Sequence, residues 1–381
     1  MVIIMNAVKI FHCADIHLDS PFSLLAPSHA YKRRLELQNA MLSAMNYAKE
    51  GKTQLFFIAG DLFDAEYITK ETIELLFDEI KKAPDCRFFI TPGNHDPYTD
   101  VSPYTLLEWP ENVHIFKEKE RVEIDELGVD VYGVGFTSAT MTDSPIKGYP
   151  KLRENRINIL VCHGDLTSPL SQSGPVSKAD IEASGFDYIA LGHIHASDGI
   201  LSIGKTYYAY SGCIEGRDFG ETGYKGAIFG DIRKDGVTLK GIRFSRRRYE
   251  VISLSLDGLG TTKECVDYIR QRIKEYRDDT ALRIILEGSV PEGIIINPTQ
   301  FGEGPLVPYF IEIIDNTVPN VDFTDLEREN TLRGVFYRTV CDYLEQEDTT
   351  PDKKEILLQA MKYGLCALAD RNILDFDERQ V

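Results

Sequence analysis

The sequence predicts an α/β fold, and three observations carry that prediction. Short apolar runs of strand type recur down the first half of the chain: Val8 to Phe11, Gln54 to Ile58, Arg87 to Ile90, Ile157 to Val161 and Tyr188 to Leu191. Segments with helical spacing lie between the first of them, Tyr31 to Glu50 with Leu35, Leu42 and Met45, and Thr69 to Lys82 with Ile73, Leu76 and Ile80. Each strand run also stops at a short motif of Gly, Asp, Asn and His, where a chain leaving a sheet must turn.

In chain order those motifs are Asp15-Ile16-His17, Gly60-Asp61-Leu62-Phe63-Asp64, Gly93-Asn94-His95-Asp96, His163-Gly164 and Gly192-His193-Ile194-His195. Strands bury their length and end in loops, so the motifs are expected together at one edge of a sheet, where open α/β sheets bind ligands. They pool carboxylates, an amide oxygen and imidazoles, the donor mixture of a paired divalent-metal site. A bridging Asp flanked by His and Asn holds two cations about 3.5–4 Å apart, close enough to share one hydroxide nucleophile, so hydrolysis of a phosphate ester is the leading reading. Later in the chain, Gly226 to Ile232 and Val237 to Lys240 flank the turn Lys234-Asp235-Gly236 and read as a closing hairpin. A first domain is expected over 1–244. Beyond it, a strand from Tyr249 to Leu254, a helix from Thr262 to Tyr276, a strand from Ala281 to Glu287 and a run from Pro308 to Ile314 read as a small α+β domain over 249–315. The charged region 325–381 reads as helical, with stripes Leu326, Leu332, Val335, Phe336 and Val340, then Ile356, Leu357, Met361 and Leu365.

From residue 8 to about 230 the motifs resemble those of the calcineurin-like metallophosphoesterase superfamily. The resemblance implies a sandwich of two mixed β-sheets flanked by helices. It implies one metal on Asp15, His17, Asp61 and His195 and a second on Asp61, Asn94, His163 and His193, with Asp61 bridging. His95 is then the residue that touches the substrate phosphate and assists the leaving oxygen, and Asp64 fixes the tautomer of His95. Tyr207 to Cys213, Arg217-Asp218-Phe219-Gly220-Glu221 and Gly223-Tyr224-Lys225-Gly226 are similar to the stretch after the last metal motif in SbcD-type DNA repair nucleases, although Tyr210-Ser211-Gly212 stands here in place of Tyr-x-Gly-Ser. The opening Ala14 to Phe22 resembles the YhaO branch of that group. These resemblances imply DNA as substrate, manganese as the favoured metal with iron or zinc as alternatives, a capping role for the small α+β domain, and an SbcC-type ATPase docked on the C-terminal helices. A homodimer is a further expectation. The stripes of those helices equally fit a helical pair packed on its own chain.

Composition restrains this picture. A formal net charge of −18 opposes long-range attraction to DNA, so independent, tight, non-specific binding is not expected. Arg246, Arg247 and Arg248, with Arg243 nearby, form a basic cluster that could contact DNA or could be a solvated strand end. Seven cysteines without a Cys-x-x-Cys pair support neither a zinc ribbon nor a disulfide framework. Cys13 and Cys162 are expected as buried thiols. The opening Met1 to Ala7 lacks the length and charged flank of a signal peptide, and no apolar run reaches a membrane span, so a cytoplasmic protein is expected. His12, His29 and His114 lie outside the motifs and are assigned structural or surface roles. Asp19, Asp96 and Asp165 are assigned supporting roles beside the ligands. Two further hypotheses stand beside the nuclease: a phosphodiesterase or phosphatase on nucleotides or small phosphoesters, and a non-catalytic scaffold for the ATPase.

Overall fold

The structure is a computed structural model that describes residues 7–368 except 24, 26, 65, 292, 303, 305, 321, 322 and 347–349. It divides into two compact units, Met1–Arg248 and Tyr249–Val381. The end of the expected helical region, residues 369–381, lies outside the described residues.

The first unit runs β1 (Val8–Cys13), α1 (Pro27–Glu50), β2 (Leu55–Ala59), α2 (Lys70–Lys81), β3 (Arg87–Thr91), α3 (Pro103–Leu106), β4 (Val113–Ile115), β5 (Glu120–Ile124), β6 (Val129–Val134), β7 (Ile157–His163), α4 (Lys178–Ser184), β8 (Tyr188–Gly192), β9 (Leu201–Ile203), β10 (Thr206–Tyr210), β11 (Gly226–Arg233) and β12 (Gly236–Arg243). Two six-stranded sheets form, ordered β12-β11-β1-β2-β3-β4 and β5-β6-β7-β8-β10-β9. Strands β1 to β4 pair in parallel, as do β6, β7, β8 and β10, and antiparallel strands complete each sheet. The expected sandwich of two mixed sheets is therefore present.

Strand period explains the layers. Alternate residues of β1 point to opposite faces: Val8 and Ile10 join Leu55, Phe57 and Phe89 against Val131, Ile159, Val161 and Ala190 of the other sheet. Phe11 and Cys13 face the other way with Phe56, Ile58, Phe88 and Ile90, under the helices. The second sheet covers its outer face with Val176, Ile181 and Phe186, packed on Leu160, Cys162, Ile189 and Leu191. Strands buried on both faces read as continuous apolar runs, which is why the sequence announced them.

Helix α1 corrects one expectation. Its buried stripe is Leu37, Ala40, Met41, Ala44, Met45 and Ala48, whereas Leu35 is exposed and Leu42 half-buried. The small alanines and flexible methionines on this face let the helix lie close to the sheet, and the eye follows the larger leucines instead. Helix α2 begins where Thr69 caps it, its hydroxyl accepting from Thr72 N at 3.3 Å. Asp19 binds this cap, accepting from Thr69 N at 2.8 Å and from Thr72 Oγ1 at 2.9 Å.

His12 is buried between the sheets. Its Nε2 donates to Leu191 O at 3.1 Å, and its Nδ1 accepts from the Tyr188 hydroxyl at 2.9 Å. One donor and one acceptor fix a neutral ring, and burial pushes its pKa down to about 3. His114 lies on β4 and pairs with Glu120 at 3.1 Å. Cys13 and Cys162 are buried free thiols.

The second unit has β13 (Arg248–Ser255), α5 (Thr262–Arg272), β14 (Thr280–Glu287), β15 (Ser289–Val290), β16 (Phe310–Asp315), β17 (Val318–Pro319), α6 (Phe323–Arg328), α7 (Leu332–Leu344) and α8 (Pro351–Leu368). Helix α5 ends at Arg272, before the expected Tyr276. It covers the sheet β13-β14-β16 through Val266, Ile269, Leu282 and Ile284. The C-terminal stripes pack largely on each other, Leu326, Val340, Met361 and Leu365 forming one cluster. The Lys362 ammonium joins α8 to Asp315, and also donates to Thr317 Oγ1 at 2.7 Å. Leu332, Val335 and Ile356 remain exposed.

A candidate metal centre at the strand ends

The loops after β1 and β2 are laced together before any side chain is considered. Asp15 N donates to Gly60 O at 3.0 Å, Ile16 N and His17 N to Asp61 O at 2.8 and 2.9 Å, and Leu18 N to Leu62 O at 2.9 Å. This path, and the turn after β8, place positive φ on residues that carry side chains: Asp15 has φ 51°, His17 50°, Asp61 50° and His193 100°. Such conformations cost about 1–3 kcal/mol each and persist where surrounding contacts dictate them. Two glycines permit the close approach of the other loops. A Cβ on Gly93 would lie 2.1 Å from Asp61 Oδ1, and one on Gly192 would lie 1.8 Å from Ala59 O. Asp96 sits fully buried beneath the loops and accepts from Leu62 N at 2.7 Å, Phe63 N at 3.1 Å, Gly93 N at 2.7 Å and the Tyr104 hydroxyl at 2.6 Å. Burial and the neighbouring Asp61 charge push its pKa up to about 7.

The structure brings the five motifs to one place. Asp61 Oδ2 lies 3.6 Å from His17 Nε2 and 3.4 Å from His163 Nε2, between the two groups. Its other oxygen, Oδ1, accepts from His95 N at 2.9 Å. Asp15 accepts from His193 N at 3.0 Å, with Oδ1 3.9 Å from His163 Nδ1 and 3.8 Å from His195 Nε2. Asn94 Oδ1 is 2.9 Å from His163 Nε2. The His163 and His193 rings meet edge to face at 5.1 Å between centroids. Two of the resulting sets have metal-ligand spacing and come wholly from the expected ligands: Asp15, His17 and His195, and Asp15, Asp61 and His163.

The proton inventory tests whether a cation fits. His17 Nδ1 donates to Asp64 Oδ1 at 2.8 Å, His163 Nδ1 to Ala59 O at 3.0 Å, and His195 Nδ1 to Glu221 Oε1 at 2.6 Å. Each neutral ring then offers an Nε2 lone pair, and the groups nearest those nitrogens are the carboxylate of Asp61, the amide oxygen of Asn94 and the carboxylate of Asp15. These are electron-pair donors facing electron-pair donors, with no proton to share. His17 Nε2 is buried without a hydrogen-bond partner. Divalent cations resolve such a set, and the site fits them.

The pKa shifts follow the same contacts: burial lowers His195, but its bond to Glu221 carries it above the usual imidazole value. Burial holds the His17 pKa below the usual imidazole value, against its bond to Asp64. Burial likewise lowers His193. Burial alone would raise Asp61, but the nearby His163, His17 and His95 hold it below the ordinary carboxylate value. His95, half exposed at the mouth, is shifted up by its bond to Asp64.

Asp64 does more than the sequence assigned to it. Its Oδ1 is 2.8 Å from His17 Nδ1 and 3.5 Å from His95 Nδ1, so one carboxylate addresses both rings and the shorter bond goes to His17. Asp165 lies 3.9 Å from His193 Nε2. Arg247 is corrected: it is buried, its Nε and Nη2 bonding Glu36 at 2.8 and 2.6 Å, so it has no surface to offer DNA. Arg33 joins the same network, bonding Glu36 at 2.5 Å and Glu215 at 2.7 Å. Arg246 is exposed and Arg248 half-buried. Sequence reasoning missed Arg217 and Glu221 as part of the centre. Their only signal was position, within the stretch already singled out after β10.

The layered fold with this donor set at its strand ends defines a metal-dependent hydrolase of phosphate esters. Residues 8–197 match the calcineurin-like phosphoesterase family. The chain belongs to the calcineurin-like metallophosphoesterases through this domain. Among its relatives is the metallophosphoesterase YhaO of Bacillus subtilis, 25% identical over 311 residues, which span 77% of this chain and 75% of that protein. The SbcD component of the SbcCD nuclease of Staphylococcus epidermidis is 28% identical over 252 residues, 56% of this chain and 63% of that protein. The DNA double-strand break repair protein Mre11 of Saccharolobus solfataricus is 23% identical over 379 residues, 93% of this chain and 94% of that protein.

Proposed function

We propose that this chain is a DNA nuclease that hydrolyses phosphodiesters with two divalent ions, manganese favoured. The observation that carries the metal reading is the convergence of three Nε2 lone pairs with Asp15, Asp61 and Asn94, a set short of protons. DNA as substrate is supported by the relatives named as a nuclease component and a double-strand break repair protein.

Asp15, His17, Asp61 and His195 would hold one ion, and Asp61, Asn94, His163 and His193 the other. When bound, the ions supply Lewis acidity for attack on the phosphate. The chain's own residues do the rest. Asp61, with one oxygen turned toward both His17 and His163, joins the two halves. His95, anchored by Asp64 and exposed at the mouth, delivers a proton to the leaving oxygen; its bond to Asp64 shifts its pKa upward, the direction a proton donor needs.

A DNA strand would run past His195. A cleft of about 280 Å³ opens there, lined also by Ser197, Ser211, Tyr224, Lys225 and Arg243, and the Arg243 guanidinium stacks 3.3 Å over the Tyr224 ring. Arg246 and Arg248 extend the positive charge. The net charge of −18 leaves long-range attraction to others, so an SbcC-type ATPase is proposed as partner, docking on exposed Leu332, Val335 and Ile356. Self-association as a homodimer is proposed with it.

The test compares manganese-dependent cleavage of duplex DNA with that of a small chromogenic phosphodiester, for the parent protein and Asp61→Asn. Cleavage of both substrates by the parent, lost with its metal in the variant, is expected. Cleavage of the small substrate alone would move the assignment to a nucleotide or small-phosphoester phosphodiesterase. Retention of two metals per chain by Asp61→Asn, counted by mass spectrometry, would remove Asp61 from the bridging position.

A further inference from the structure

Three of the imidazoles at the centre are held by carboxylates that come from distant loops, Asp64 after β2 and Glu221 after β10. One side chain lies against both. Arg217 places Nη2 3.0 Å and Nε 3.2 Å from Glu221 Oε1, and Nη1 3.9 Å from Asp64 Oδ2. The same Nη2 is 3.2 Å from His195 Nδ1, both nitrogens donating to that one Glu221 oxygen, and Arg217 N donates to Glu221 Oε2 at 2.7 Å. Asp64 in turn holds His17 and His95 by Nδ1, and Glu221 holds His195 by Nδ1.

We propose that Arg217 is a positioning residue for the metal centre: its guanidinium straps Asp64 to Glu221 and thereby fixes the tautomer and aim of His17, His95 and His195 together. The inference rests on the reading of this face as a metal centre and names a residue that acts on it through other side chains. A planar fork suits the task, because Nη2 and Nε hydrogen-bond Glu221 while Nη1 turns its charge toward Asp64 at 3.9 Å, whereas an ammonium is a single point of contact. Without the strap the two carboxylates are no longer tied to each other, and the hold each has on its histidine loosens, although Glu221 retains the Arg217 backbone N–H. The Nε2 lone pairs of His17 and His195, now directed toward Asp61 and Asp15, would then lose a common target. Outer contacts of this kind typically change metal affinity by roughly 10–100-fold.

The experiment uses the full chain with Arg217→Gln and Arg217→Lys. Calorimetric titration with manganese should give affinity weaker by roughly 10–100-fold in Arg217→Gln, with Arg217→Lys recovering only part of the loss. In the metal-free proteins, long-range ¹H–¹⁵N correlation of the imidazoles should show His17 and His195 with the proton on Nδ1 in the parent and a mixture of tautomers in Arg217→Gln. The thermal midpoint should stay within a few degrees of the parent. Parent-like affinity with unchanged tautomers in either variant overturns the proposal. Loss of affinity only in step with a large loss of stability also overturns it, since that is what a purely structural arginine would do. If Arg217→Gln does not fold, Arg217→Lys is read alone by the same criteria. A parent protein that binds no manganese would refute the metal reading, while the tautomer comparison still judges Arg217 by itself.

Discussion

His12 should make the first unit acid-sensitive, and the size of the effect follows from its surroundings. The ring is buried, neutral and fixed by Tyr188 and Leu191, with its pKa pushed from the ordinary 6.5 down to about 3. A histidine lowered in this way favours the folded state above pH 6.5, where neither state is protonated, and loses ground as pH falls, because only the unfolded chain takes up the proton. At pH 5 the unfolded ring is almost fully protonated and the folded ring is not. At about 1.4 kcal/mol per pH unit below 6.5, the penalty there is about 2 kcal/mol, and it grows toward about 5 kcal/mol at pH 3. His12→Gln keeps an N–H for Leu191 O but cannot titrate. Urea unfolding of both proteins at pH 8, 6.5 and 5 isolates the effect, since other groups that titrate in this window, Asp96 among them, act alike on both. The stability of the parent relative to His12→Gln should fall by about 2 kcal/mol from pH 8 to pH 5. A difference that does not change with pH would refute the reasoning and place a proton or water beside the ring.

Two other outcomes are expected. His95→Ala should keep the metal content measured by mass spectrometry near that of the parent while turnover of a small phosphodiester drops by roughly 100-fold or more, and loss of metal would make His95 a ligand. Leu332→Glu with Ile356→Glu should leave the melting temperature and small-substrate turnover unchanged and abolish co-purification with a co-expressed SbcC-type ATPase; undiminished co-purification would move the docking site elsewhere.

The strands and motifs were legible because parallel strands buried on both faces must be apolar throughout, and the glycines and polar residues that end them cannot belong to the strand. Helix faces were less so. On α1 the larger Leu35 drew attention, yet Ala40, Ala44 and Ala48 with the methionines form the buried stripe, since close packing on a sheet rewards small residues. The three consecutive arginines looked alike in sequence, but the backbone turns Arg247 inward to Glu36, and nothing local to the cluster announces a partner on α1. Asp64 was recognised beside His95, whereas its shorter bond, to His17, depends on how the β1 and β2 loops lace together. Arg217 and Glu221 carried a resemblance without a role, because a loop after β10 reaches the centre only when both sheets are in place.

The left-handed backbone at Asp15, His17, Asp61 and His193 sets the centre against the rest of the molecule. Random drift at these positions has an easy direction. A glycine at any of them relieves torsional energy while deleting a donor, so an inactive descendant could be more robust to heat than its active ancestor. Screens that reward only thermal resistance would therefore enrich for catalytically dead sequences here. Four residues that carry metal donors thus sit in a conformation that disfavours side chains, a cost the donor set imposes on the fold.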